Sequence, residues 1–339
     1  MKLYDFQFHA YTPEFLEYIR CRDEYPLIDE NDVFWCNEKA PLPFNVGFFE
    51  GSTMLIDLCD ISEGRLKHMD DAGVTLGVIS PSPGYEFLDR EASIKHCKIF
   101  NDAVAETSKK YPDRFRGAIA LPTPYVDDAI EELERAVNEL GLEYFHTHSN
   151  YGEDILADDK YIPLLAKCEE LGVPIYIHPG YIEEPYLANH GMTFAGAGFG
   201  FAVDVMITSM LIVLKGRLDK FPNLKIILGH MGEFFPFILE RMDNRFFSVP
   251  IPVPEVNCEH TFTYYFKNNF IVDVGGITDP KVAMFVIDKI GIDSIIYGSD
   301  YPYESYDRSI DFINNLPISD EDKEKIFYKN AEKYILRNK

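Results

Sequence analysis

"DFQFHAY", residues 5–11, places polar side chains at every second position, Asp5, Gln7 and His9, inside an otherwise apolar run. Successive residues of a strand point to opposite faces, so the pattern predicts a β-strand that aims all three toward one side of a sheet. Seven further runs rich in β-branched and aromatic residues also end at polar residues or turn formers. They are "TLGVIS" (75–80), "FRGAIAL" (115–121), "LEYFHTH" (142–148), "PIYIHP" (174–179), "KIILGH" (225–230), "NFIVDVG" (269–275) and "SIIYGSD" (294–300). Most of the intervening segments have helical period; after the third run, Ala129, Ile130, Leu133, Ala136, Val137 and Leu140 fall on one helix face. Eight such alternations predict an α/β chain folded as a (β/α)8 TIM barrel. A doubly wound sheet would usually have fewer strands, and no G-x-G-x-x-G follows the first run. No repeat and no linker divides the chain, so residues 1–339 read as a single domain.

Composition narrows the function. The chain has 339 residues, 46% of them hydrophobic, enough for a large core and beyond the usual single-domain size unless the architecture is a barrel. A net charge of −24 repels phosphate backbones and anionic membranes, which excludes nucleic acid and membrane partners. Six widely scattered cysteines suggest neither a disulfide framework nor a zinc knuckle, which fits a reducing cytoplasm. Acidic Asp5 and Glu14 stand where a signal peptide needs an apolar run, and "VMITSMLIVL" (205–214) is about half a membrane span.

Two stretches break the regular spacing. Residues 10–62, between strands one and two, hold the only tryptophan, Trp35, with Pro26, Pro41, Pro43 and "FNVGFFEG" (44–51). A connection this long is a lid or interface insertion, or an ordered excursion packed on the barrel. The stretch "GYIEEPYLANHGMTFAGAGFGFA" (180–202) follows the fifth strand and would also overhang the mouth.

In a barrel of this type the active site lies at the C-terminal strand ends. Five of these ends carry metal-competent residues: His9, His146 with His148, His178, His230 and Asp300. Imidazoles with a carboxylate are an ordinary ligand set for zinc, manganese or iron.

The stretches "YPDRFRGAIALP" (111–122), "LAKCEELGVPIYIHPG" (165–180), "GRLDKFPNLKIILGHMGEFFPFILERMD" (216–243), "IIYGSDYPYES" (295–305) and "EKIFYKNAEKYI" (324–335) carry a family resemblance. The chain resembles the amidohydrolase superfamily, in the branch of the aminocarboxymuconate semialdehyde and hydroxybenzoate decarboxylases. The resemblance implies a metal-dependent hydrolase type of barrel with one divalent ion, zinc or manganese, on His9, His178 and Asp300. Gln7 stands where the branch has a histidine or glutamate ligand, and a neutral amide is the weaker donor. It also implies that His230 contacts substrate or a metal-bound water, that Glu233 holds its tautomer, and that Asp300 serves in acid–base chemistry. Arg65, in "GRLKHMDDAGV" (64–74), resembles a helix arginine of the branch and is a candidate for forked contact with a substrate carboxylate. Arg20 and Arg22 are others, with ordinary ion pairs the competing reading for all three. His146 and His148 read as pocket or supporting polar residues, and Phe199, Phe201, Tyr301 and Tyr303 as mouth aromatics. The implied activity is non-oxidative decarboxylation of a hydroxylated aromatic acid by a homodimer. The alternatives are hydrolysis or hydration of a lactone, amide or unsaturated dicarboxylate, and a metal-free binding protein that has lost catalysis.

Overall fold

All eight expected strands form in the computed structural model, which describes residues 2–38, 40–47, 53–182, 184–248 and 256–336. They are β1 (Tyr4–Ala10), β2 (Leu76–Pro81), β3 (Phe115–Gly117), β4 (Phe145–His148), β5 (Ile175–His178), β6 (Ile226–Leu228), β7 (Phe270–Asp273) and β8 (Ile295–Ile296). Paired strands are parallel throughout, β1 to β3 in one sheet and β4 to β8 in another. Backbone hydrogen bonds also cross both seams. Between β3 and β4, the Ile119 and His146 amides donate to the Tyr144 and Ile119 carbonyls at 2.8 and 3.1 Å. Between β8 and β1, the Phe6 and His9 amides donate to the Tyr297 and Tyr301 carbonyls at 3.1 and 2.8 Å.

Strand β1 departs from simple alternation. Its register against β2 runs Asp5 to Gly77 and then Phe8 to Ile79, so Phe6 and Gln7 together face the single residue Val78. This is a β-bulge, which turns two successive side chains toward one face. Phe6 accordingly joins a buried cluster to which every strand, or the residue flanking it, contributes, with Val78, Ala118, Tyr144, Tyr176, Ile227, Ile271 and Ile296. Phe8 belongs to the other, larger cluster, beneath the helices. Asp5 goes with it. The expectation that Asp5, Gln7 and His9 share a face is therefore corrected: Gln7 and His9 do, and the extra residue puts Asp5 on the other side. There its carboxylate accepts from the Ser299 amide at 2.8 Å, the Ser299 hydroxyl and the Gln7 amide, tying β1 to β8.

The helix expected after β3 runs Val126–Arg135 and ends in a wider π-type turn, with Ala129, Leu133 and Ala136 buried as the period required. The apolar segment around residues 205–214 is longer than its sequence run suggested. Composition alone would let Met192–Leu214 cross a membrane, but it folds as two helices, Met192–Ala195 and Gly200–Leu214. The second packs Val205, Ile212 and Val213 into the core.

In its described residues the excursion after β1 forms a helix at Pro13–Arg20, a three-stranded antiparallel sheet (Leu27–Ile28, Val33–Trp35, Pro41–Pro43) and a helix at Met54–Cys59. Residues 39 and 48–52 of this stretch, and Glu183 of the second irregular stretch, lie outside the described residues. The small sheet packs Phe34 against Tyr11 and Tyr181, with ring centroids 6.1 and 5.8 Å away. The Tyr11 and Tyr181 hydroxyls both donate to the Pro83 carbonyl. The excursion thus sits on segments that follow β1, β2 and β5, on the side where the histidines emerge.

Strand β2 needs Gly77, because a Cβ there would lie 2.6 Å from the fully buried Phe8 ring. Gly77→Ala is expected to destabilise the fold by about 1–3 kcal/mol through overpacking, read as a lower denaturant midpoint with an unchanged slope.

Candidate metal centre

Alternation along each strand decides what reaches the site. Tyr144 and Tyr176 end inside the cluster shared by the strands and their flanking residues, and His146 and His178, two residues further on, take the next level up on the same face. His148 follows by the same rule on β4. Beyond β6 and β8 the backbone must turn sharply to present one more side chain. Positive φ values mark these turns at His230 (53°), Met231 (57°), Glu233 (56°) and Asp300 (65°). Each costs a non-glycine residue about 1–2 kcal/mol, and such strain persists only where the surroundings hold it. The hold comes from Asp273 at the end of β7. Its carboxylate accepts from the His230 and Gly275 amides at 3.2 and 2.9 Å and from the Tyr176 hydroxyl. Burial pushes the Asp273 carboxyl up to about 6 and that of Asp5 up to about 7.

His9, His178 and Asp300 converge, with ligand-capable atoms within 4.8 Å of one another. His9 Nε2 lies 3.3 Å from Asp300 Oδ1, yet neither atom makes a hydrogen bond. Both His9 nitrogens are buried and unpartnered. Orphaned buried donors and acceptors are costly, and a cation between them would satisfy both, so these residues fit a divalent ion. Burial lowers the pKa of His9 and takes His178 well below the usual imidazole value, which leaves both neutral with lone pairs available. Burial would raise Asp300, but the neighbouring His230 and His9 imidazoles outweigh it and hold the carboxylate low.

His230 behaves differently. Its Nδ1 sits 2.6 Å from Glu233 Oε1, and its Nε2 is 3.8 Å from Asp300 Oδ2. Burial opposes its charge, but the Glu233 and Asp300 carboxylates prevail and raise its pKa well above the usual value. Gln7 turns its amide nitrogen to His230 Nε2 at 3.2 Å, while its oxygen is buried, unpartnered and packed against Gly275, where a Cβ would approach to 1.9 Å. An amide nitrogen donates, so this orientation conflicts with the charged ring that the two carboxylates favour; a protonated Nε2 calls for the flipped amide, with its oxygen accepting.

A second histidine group adjoins the first. His146, His148 and His178 also have ligand-capable atoms within 4.8 Å of one another, and Glu86 engages His148 Nδ1. Glu86 was not found from sequence; it is carried by a short helical turn, Tyr85–Phe87, just beyond β2. Tyr303, rather than Tyr301, is the tyrosine at the site, with its ring 5.4 Å from His9.

Tyr301 and Arg65 lie on the other face of β1 from Gln7 and His9. Tyr301 is buried, stacked on Tyr306 and 5.2 Å from Phe8. The wholly buried Arg65 lies over the Phe8 and Tyr301 rings and donates to the Phe8, His9 and Asp57 carbonyls. Its guanidinium braces the strand that bears His9. Arg20 pairs with Asp32, and Arg22 donates to the Glu24, Tyr25 and Pro26 carbonyls, so neither points a free fork inward. Phe201 is half-buried at the start of the helix Gly200–Leu214.

The chain belongs to the amidohydrolase family, whose model matches residues 60–335. It is 33% identical to the γ-resorcylate decarboxylase of a Rhizobium species (strain MTP-10005), over 81% of this chain and 87% of that one. It superposes with a TM-score of 0.83, at 28% identity, on a 2,6-dihydroxybenzoate decarboxylase solved with 2,6-dihydroxybenzoate, covering 98% of this chain and 99% of that one. A dihydroxybenzoic acid decarboxylase from Polaromonas sp. JS666, solved with manganese and the inhibitor 2-nitroresorcinol, gives 0.81 at 27% identity, with 98% and 96% covered.

Arg65→Met leaves three buried carbonyls without their donor. It is expected to cost about 3 kcal/mol of stability, read in urea unfolding, and to leave the substrate KM of the folded protein unchanged. A raised KM with unchanged stability would restore Arg65 to the substrate site.

Proposed function

We propose that the chain is a non-oxidative decarboxylase of an ortho-hydroxylated aromatic acid, working with one divalent ion, manganese or zinc. The observation that carries this is the convergence of His9, His178 and Asp300 beside the Glu233-held His230, in a chain so similar to hydroxybenzoate decarboxylases. His9, His178 and Asp300 would hold the ion, which would supply Lewis-acid binding of the acid's carboxylate and neighbouring oxygen. Gln7 adjoins His230 and would offer the ion only a weak fourth donor, its amide oxygen, which leaves positions open for substrate. The His230 and Asp300 pair supplies a proton to the ring carbon. The electrons of the ring-to-carboxyl bond pass to the ring, and carbon dioxide departs. Glu233 fixes the His230 ring during this transfer. His148 and Tyr303 border the substrate, and the excursion after β1 shields the site from water as a lid.

The reading includes one closed (β/α)8 barrel as a single domain, supported by the hydrogen bonds at both seams and by a cluster drawn from all eight strands or the residues flanking them. It places the chain in a reducing cytoplasm, consistent with its unpaired cysteines. It also includes a homodimer, supported by the exposed, adjoining rings of Phe194, Phe199 and Phe234. A monomeric mass by light scattering would remove that part.

Manganese-loaded protein is expected to release carbon dioxide from a panel of 2-hydroxybenzoates, followed as labelled bicarbonate. His230→Phe is expected to lower kcat by about a hundredfold or more. No release across the panel, with turnover of a lactone or unsaturated dicarboxylate instead, would assign the same residues to a hydrolase or hydratase. Gln7→Glu adds a charged donor and is expected to tighten manganese binding by about tenfold, measured by electron paramagnetic resonance titration. Equal affinities would show that position 7 stays on His230 and does not touch the ion.

A further inference from the structure

The group of His146, His148 and His178 has the wiring of a cation site in its own right. All three side chains are buried. Glu86 takes up His148 Nδ1, and His148 Nε2 has no partner. A carboxylate on the far nitrogen is how metal-bound imidazoles are commonly oriented. His178 Nδ1 lies 3.2 Å from the Pro179 carbonyl, which fixes a proton there and leaves Nε2 as the donor atom. His146 has both nitrogens buried and unpartnered, with its ring stacked 4.8 Å from that of Tyr176. The decarboxylase reading puts His148 beside the substrate but gives the orphaned nitrogens of His146 no role.

His178 belongs to both groups, and with Nδ1 on a carbonyl it has one lone pair to give. Occupation of one group therefore excludes the other. Their donors also differ: three imidazoles suit zinc, copper and nickel, whereas a carboxylate with two imidazoles accepts manganese better. We propose that His146, His148 and His178 form a second, alternative cation position that takes zinc, and that zinc there displaces manganese by withdrawing His178 from His9 and Asp300. Nothing in this requires the decarboxylase reading, only the imidazoles.

The test is metal binding to the full chain, with zinc measured by chelator competition and manganese by paramagnetic resonance, in wild type, His146→Phe and Glu86→Gln. His146→Phe keeps the ring stacked on Tyr176 and removes both nitrogens. Glu86→Gln keeps every imidazole and decides the matter if the first variant does not fold. Both variants are expected to weaken zinc by about tenfold or more and to leave manganese within about twofold of wild type. Zinc added to manganese-loaded wild type is expected to release free manganese, and a larger zinc concentration to be needed in the variants. Unchanged zinc affinity, equal weakening of both metals, or no zinc binding by wild type would overturn the proposal. Carbon dioxide release is not part of this readout, so its failure and failure of the proposed activity are told apart.

Discussion

The bulge in β1 is the constraint on which the rest of the site depends. Two residues, Phe6 and Gln7, oppose Val78 alone, so a large apolar ring and a polar amide leave the strand on one face at successive levels. Phe6 fills the layer below and Gln7 occupies the one above. His9, two residues further, then reaches Asp300 and His178. An unbulged strand would have sent Phe6 outward with Phe8 and brought the Asp5 carboxylate inward, beneath a site that already holds Asp273 and Asp300. The extra residue exports that charge to the seam with β8, where Ser299 receives it. Asp300 is the next residue after Ser299, so the same contact that relieves the site also positions one of its candidate ligands.

A second constraint is backbone strain concentrated where the strands end. Four of the five described non-glycine residues with positive φ are His230, Met231, Glu233 and Asp300. A loop that relaxed to ordinary dihedrals would rotate His230 away from Glu233 or Asp300 away from His9. Asp273 prevents the first by accepting from the His230 amide while itself held by Tyr176 and Gly275. The Ser299 hydroxyl helps prevent the second by accepting from the Tyr301 amide at 3.0 Å. Stability is given up locally so that side chains with no freedom to search are already placed when a ligand arrives.

Much of this was legible in the residues. Period-two runs ending in His9, His148, His178, His230 and Asp300 located the strands and the candidate metal donors, because strand alternation is a short-range property that needs no partner. The bulge was not legible: "DFQFHAY" alternates perfectly, and only the register against β2 reveals the insertion. Arg65 and Tyr301 were misplaced for a related reason. Tyr301 follows a strand end in sequence and Arg65 lies on the helix Glu63–Ala72, but both belong to the outer face of β1, where the Phe8 ring holds them. Glu86 left no mark because its role depends on a turn after β2 meeting His148 from β4, a contact between residues far apart in sequence.

The substitution at position 7 changes the charge of the centre more than its shape. With His9 and His178 neutral and the Glu233 and His230 pair compensating itself, the three ligands carry one negative charge, on Asp300, so a divalent ion would leave the ligand set with a net positive charge. A glutamate at position 7 would cancel it. Among the three arginines considered for gripping a carboxylate, Arg65 is buried on main-chain carbonyls and Arg20 and Arg22 are engaged within the excursion. On the decarboxylase reading, the attraction for an anionic substrate therefore resides in the centre itself, and the neutral amide of Gln7 is what preserves it.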